Sequence, residues 1–160
     1  MAVDARPDAP EAAPGTPARL VSVTTPFEAG GDLLAYLPSS GGIAWVREGE
    51  GFAGFGHVAR IAAGTGPDRF LRAAGAVKEA LGTAQVDDQV GSWGTGPIAF
   101  GSFTFDPDSP GSELVIPAVV IGRSGGRAWL TRNGWDGVPD VDEALPSATQ
   151  EAFPGPRGGN

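Results

Sequence analysis

Residues 96–132 run GPIAFGSFTFDPDSPGSELVIPAVVIGRSGGRAWLTR, and the fold is decided by how this stretch is divided. Ile98 to Phe105 is apolar and aromatic, which suits a strand. Asp106 to Ser112 (DPDSPGS) collects Asp, Pro, Ser and Gly, the residues that favour turns for distinct backbone reasons. Glu113 to Ile121 predicts a second strand, with Pro117 implying an edge position or a bulge because proline has no N–H for the ladder. Arg123-Ser124-Gly125-Gly126 makes a turn, and Arg127 to Thr131 is the third strand. Strands joined this closely pair antiparallel, since parallel neighbours need a long crossover.

Upstream, Gly66 to Leu81 predicts a helix. Pro67 suits its first position, Asp68 its first turn and Gly82 a left-handed C-terminal cap. Phe70, Ala74, Val77 and Leu81 recur at spacings of three and four, giving one apolar face. Gly42 to Ala63 predicts a hairpin: GIAWVRE, a turn at Gly49-Glu50-Gly51, then FAGFGHVARIAA. Gly54 and Gly56 inside a strand signal a bulge or the close approach of another backbone. Leu20 to Thr25 (LVSVTT) alternates apolar with polar and predicts a first strand. Gly31 to Leu37 suits a short helix, and Val86 to Thr95 a loop. Residues 1–19 are rich in Ala, Pro, Asp and Glu and predict a disordered lead-in. Residues 133–160 predict a Pro/Gly-rich linker or tail, with one helical turn over Asp140 to Leu145. The expected fold class is α+β, a mostly antiparallel sheet with one main amphipathic helix.

Composition narrows function by exclusion. The chain carries 19 acids against 11 bases, a net charge of −8. A nucleic-acid partner or an anionic membrane surface calls for a basic face, so neither is expected. There is no cysteine, which removes disulfides, thiolate nucleophiles and Cys-based metal centres. No apolar run reaches the roughly 20 residues of a membrane span, and the acidic N-terminus is unlike a signal peptide, so a cytoplasmic location is expected.

No catalytic constellation emerges from the residues themselves. Trp93-Gly94-Thr95-Gly96-Pro97 lacks the helix and lysine of a phosphate loop, and Gly51 to Gly56 does not match a dinucleotide fingerprint. His57 is the single histidine, with no identifiable nucleophile or orienting carboxylate. Asp106, Asp108 and Glu113 do not have calcium-loop spacing. Asp87-Asp88 and Asp140, Asp142 and Glu143 suit solvated loops. Lys78 lies toward the polar side of the helix, where an exposed lysine makes a poor base at neutral pH. No catalytic, cofactor-binding or metal residue is assigned.

Three segments carry a family resemblance: Ile43 to Gly51 (IAWVREGEG), the FGSFTFDP run within Gly96 to Pro107, and Val115-Ile116-Pro117 through Trp129-Leu130-Thr131. Taken in this order, over about Leu20 to Arg132, the chain resembles the N-terminal half of isochorismate synthases, closest to actinobacterial members. These are chorismate-utilising enzymes that feed menaquinone and catechol siderophore synthesis. The resemblance implies part of a fold in which two antiparallel sheets pack with helices outside. It also implies an isomerase that adds water at one ring carbon of chorismate and loses a hydroxyl from another. In the complete enzyme a Lys is the base, a Glu the acid, and Mg2+ is held by further Glu carboxylates. Those residues follow a motif like E-L-x-K-V-V-x-A-R, which this sequence lacks, and Lys78 lies outside the matching context.

The expectation is therefore an N-terminal α+β portion over residues 20–132. It would bind no Mg2+ alone, be inactive alone, and depend on a C-terminal catalytic half or partner chain to act on chorismate. Such a portion exposes strand edges and an apolar face, with Phe100, Phe103, Phe105 and Trp129 expected there, and should be poorly stable. The alternative is a non-catalytic interaction or regulatory module. A third type, the anthranilate or aminodeoxychorismate synthases, often carries an L-L-E-S-like motif that is missing here.

Overall fold

A computed structural model describes residues 18–145. The lead-in expected over residues 1–19, apart from its last two residues, and the stretch 146–160 lie outside the described residues. The chain forms β1 (Leu20–Pro26), a 3-10 turn (Leu33–Tyr36), β2 (Gly42–Arg47), β3 (Glu50–Phe55) and β4 (Ala59–Ala62). It continues as α1 (Arg69–Gly82), β5 (Gln85–Asp88), β6 (Phe100–Ser102), β7 (Glu113–Ile116), β8 (Val119–Ser124), β9 (Arg127–Trp135) and α2 (Val141–Ala144). Six strands make one sheet in the order β2-β3-β8-β9-β1-β5, and three make a second in the order β4-β7-β6. All pairings are antiparallel except β1 with β5. The α+β class expected from the sequence is what the structure has.

Two long strands expected from the sequence are each divided between the sheets. The 113–121 run breaks at Pro117 and Ala118, and the 52–63 run breaks over Gly56 to Val58. The breaks face each other. A Cβ on Gly54 would stand 3.0 Å from Pro117 Cγ, and Gly56, at φ 61°, lies against Ala118. Both strands therefore leave the large sheet and enter the small one side by side. Pro117 is neither at an edge nor in a bulge. It is fully buried at the crossing point, where its missing N–H costs no ladder bond. Of the two readings of Gly54 and Gly56, a bulge or a close approach, the structure has a close approach, made mainly by the Pro117 and Ala118 side chains.

Other boundaries move for local reasons. The hairpin turns at Glu48 (φ 56°) and Gly49 (φ 81°), one residue earlier than expected, which matches the twist of the flanking strands. The Ile98 to Phe105 strand shortens to β6, and at its C-terminal end Thr104 turns its hydrogen bonds to the loop. Its N–H donates to Ser112 Oγ at 3.1 Å, and its hydroxyl donates to the carbonyls of Asp106 and Ser109. Val86 is not in a loop, because β5 lines up parallel to β1. The third strand extends from Thr131 to Trp135. The helical turn expected over Asp140 to Leu145 is α2.

Helix α1 starts at Arg69 with Asp68 as its N-cap, so Pro67 precedes it, and Gly82 is its last residue rather than a left-handed cap. Its inner face is rotated from the predicted one. Arg69 and Ala73 are buried, Ala80 and Leu81 pack on the core, and Phe70 is 52% exposed. Alanines line the contact, so the helix can lie close to the small sheet. Arg69 donates to the carbonyls of Gly66 and Thr104, and its guanidinium lies 4.5 Å from the Phe70 ring centre. Phe70 in turn packs on Phe103 at 4.4 Å.

Leu33, Phe55, Ile121, Leu130 and Ala144 fill one side of the large sheet. Phe52, Val120 and Trp129 lie on the other. Trp129 is fully buried, so it is not part of an exposed face. Its indole occupies the space above Gly122, where a Cβ would fall 2.2 Å from a ring atom. Phe105, by contrast, is fully exposed.

Candidate functional site: a buried polar row beneath a capped loop

In β1, Ser22 and Thr24 share one face, and in β9 Asn133 and Thr131 lie directly opposite them. All four are buried in a face that otherwise holds Trp129 and Val120. Burying a hydroxyl or amide is unfavourable unless it is hydrogen-bonded. Thr24 and Thr131 join their hydroxyls at 2.8 Å, and Asn133 Nδ2 donates to the Pro117 carbonyl at 2.8 Å. Ser22 Oγ, Asn133 Oδ1 and Trp129 Nε1 are buried with no protein partner.

The loop from Asp88 to Gly96 covers this row. Gly96 N–H donates to Thr24 Oγ1 at 3.1 Å, and Gln89 N–H donates to the Thr24 carbonyl at 3.0 Å. Gly94, at φ 83°, lies so close to the Phe52 ring that a Cβ would fall 2.4 Å from it. Asp88 organises the loop by accepting from the N–H groups of Gly91 and Val90 and from the Thr95 hydroxyl. The Gly91 N–H and the Thr95 hydroxyl hold its carboxyl below the usual carboxylate range. At the end of β1 and β9 an open groove of about 390 Å³ is lined by Pro26, Phe27, Glu28, Gln89, Val90, Arg127 and Ala128.

The chemistry on offer is orientation through neutral hydrogen bonds. The buried row contributes hydroxyls and an amide, and Trp129 beside it an indole N–H, none of which ionises near neutral pH. The groove adds one carboxylate and one guanidinium. His57 is exposed where β3 gives way to β4, and Lys78 is exposed on α1. Neither lines the groove. Asp106 folds its own turn, accepting from the Asp108 N–H and the Ser109 hydroxyl, which hold its carboxyl low. Glu113 pairs with Arg60 at 3.1 Å. Among the described residues no group of three or more His, Asp or Glu side chains could hold a metal. These residues do not fit the Mg2+ that the resemblance implies for the complete enzyme. Among the described residues, no helix is long and apolar enough to cross a membrane.

Sequence reasoning missed all four residues of the row. In LVSVTT the alternation suggests valines inward and Ser and Thr outward, but the structure reverses this: Ser22 and Thr24 are fully buried, and Val21 and Val23 are only half-buried. The one available signal was the matching polar pair Thr131 and Asn133, which lies 107 positions away from Thr24 at its nearer member. Arg123, left unassigned from sequence, donates to the carbonyls of Ala29 and Gly31 and ties the segment after β1 to β8.

No curated protein and no solved structure matches the chain. A family model described as chorismate binding enzyme matches residues 17–151, which takes in every described element and the polar row. This chain belongs to the chorismate binding enzyme family.

Proposed function

We propose that the chain is the N-terminal portion of an isochorismate synthase, a cytoplasmic isomerase that converts chorismate to isochorismate for menaquinone or siderophore synthesis. The observation that carries this reading is the family match over residues 17–151. The three segments quoted above, from Ile43 to Thr131, sharpen it toward isochorismate synthases. In this reading the acid, the base and the Mg2+ ligands come from a C-terminal half. The described residues supply a scaffold whose polar row and capped loop orient without transferring protons.

Incubating the full chain with chorismate and Mg2+ tests this, with isochorismate followed by liquid chromatography. No product is expected from the chain alone. Product is expected when a chain bearing an E-L-x-K-V-V-x-A-R strand is supplied. Failure of every such supplement would sink the proposal.

A second reading is a non-catalytic interaction module. It is favoured by the exposure of Trp45, Phe70, Trp93 and Phe105. A stop directly after codon 160, together with a stable, monodisperse folded protein, would favour it over the first.

A further inference from the structure

We propose that the free edge of β2 pairs with the same strand of a second copy of this chain, forming a two-fold antiparallel dimer that joins the two large sheets. The two sheets have four edges, which belong to β2, β5, β4 and β6. Soluble proteins guard such edges with charge, shortness or cover. β5 carries Asp87 and Asp88 in four exposed residues, so a second copy would meet like charge. β6 is three residues long. β4 carries Arg60, paired with Glu113, and α1 packs beside it.

Apart from Arg47 at its end, β2 has none of these protections. It is six residues long, and from Gly42 to Val46 it holds no charge, proline or bulge. Trp45 stands on it 57% exposed, stacked on Phe52 at 6.2 Å. A chain of net charge −8 repels its copies, and the stretch Gly42 to Val46 adds no charge of its own to that repulsion.

The strand is also complementary to itself. Ile43 and Trp45 lie on one face, two residues apart, so an antiparallel copy centred on Ala44 sets Trp45 against the partner's Ile43 twice. Aromatic and β-branched residues are favoured cross-strand neighbours. In the same register Arg47 falls beside the partner's Gly41, so no like charges meet. A two-fold contact of this kind closes on itself and does not propagate. It is small, so the dimer is weak.

Sedimentation equilibrium of the full chain tests the proposal from about 10 µM to about 1 mM, the range in which small interfaces associate. The mass is expected to rise from monomer to dimer. Trp45→Lys should weaken association at least tenfold, and Phe105→Lys, on the other exposed aromatic surface, should leave it unchanged. Amide exchange on the unmodified chain gives a second readout that does not depend on a variant folding, since β2 amides should gain protection as concentration rises. A monomer at every concentration would overturn the proposal. So would association unchanged by Trp45→Lys, association lost in Phe105→Lys, or concentration-dependent protection mapping away from β2. None of these readouts involves turnover, so the dimer and the proposed activity stand or fall separately.

Discussion

Thr24 shows what one residue contributes. Its hydroxyl holds Thr131 from the opposite strand and receives the N–H of Gly96 from the covering loop. Thr24→Val keeps the shape but leaves the Gly96 N–H and the Thr131 hydroxyl with one partner fewer, at a cost of about 1–3 kcal/mol. Denaturant unfolding should read that loss, and the fluorescence of Trp93 should report a looser loop. Gly122 is constrained by space, since any side chain there meets the buried indole of Trp129. Gly122→Ala should cost about 3 kcal/mol, because the indole has nowhere to retreat. Asp88 and Asp106 respond to acid. Their carboxyls are held below the ordinary range, so the unfolded chain binds more protons as pH falls. Their contribution is complete above the ordinary carboxylate pKa of about 4 and disappears as pH drops through the lower folded values. Chemical denaturation at a series of pH values should show stability falling below about pH 4, with a shallower fall in Asp88→Asn.

Among the elements, α1 and the bent strand pair behave differently under substitution. Gly75 sits in the middle of α1, exposed, at an ordinary helical φ, with nothing near the place a Cβ would occupy. Gly75→Ala should therefore stabilise the chain by about 0.5–1 kcal/mol in urea unfolding, through reduced backbone freedom in the unfolded state. The helix was foreseeable because its period and its breakers are local. Its inner face was harder to foresee, because a run of alanines lets the contact rotate by one residue without losing burial. The strand breaks show the reverse case. Gly54, Gly56 and Pro117 all signal irregularity one residue at a time, but each signal fits a bulge, an edge or a crossing. They become one crossing only because β3 and β8, and β4 and β7, are partners.

Taken whole, the molecule is a pair of sheets with a helix on one side and large side chains left in water. Trp45, Phe70, Leu71, Trp93 and Phe105 are all at least half exposed. Exposed apolar surface of this kind suits a chain that docks against another. The isolated chain is expected to melt at low temperature with weak cooperativity, read by calorimetry, and to rise in melting temperature when a catalytic half is supplied. A sharp transition at high temperature would count against the half-fold reading.

Local chemistry was enough to predict the α+β class, the hairpin, the main helix, the turns at Asp106 and Gly125, and the motifs behind the family resemblance. Each depends on period, turn residues or spacing within a few positions, and chain length is enough to read them. The pairing of β5 with β1, the transfer of strands between sheets and the burial of Ser22, Thr24, Thr131 and Asn133 were not predictable that way. They depend on which strand becomes whose neighbour. A polar side chain in an alternating strand looks solvent-facing until a second sheet and a loop arrive to cover it, and that covering comes from residues distant in the chain.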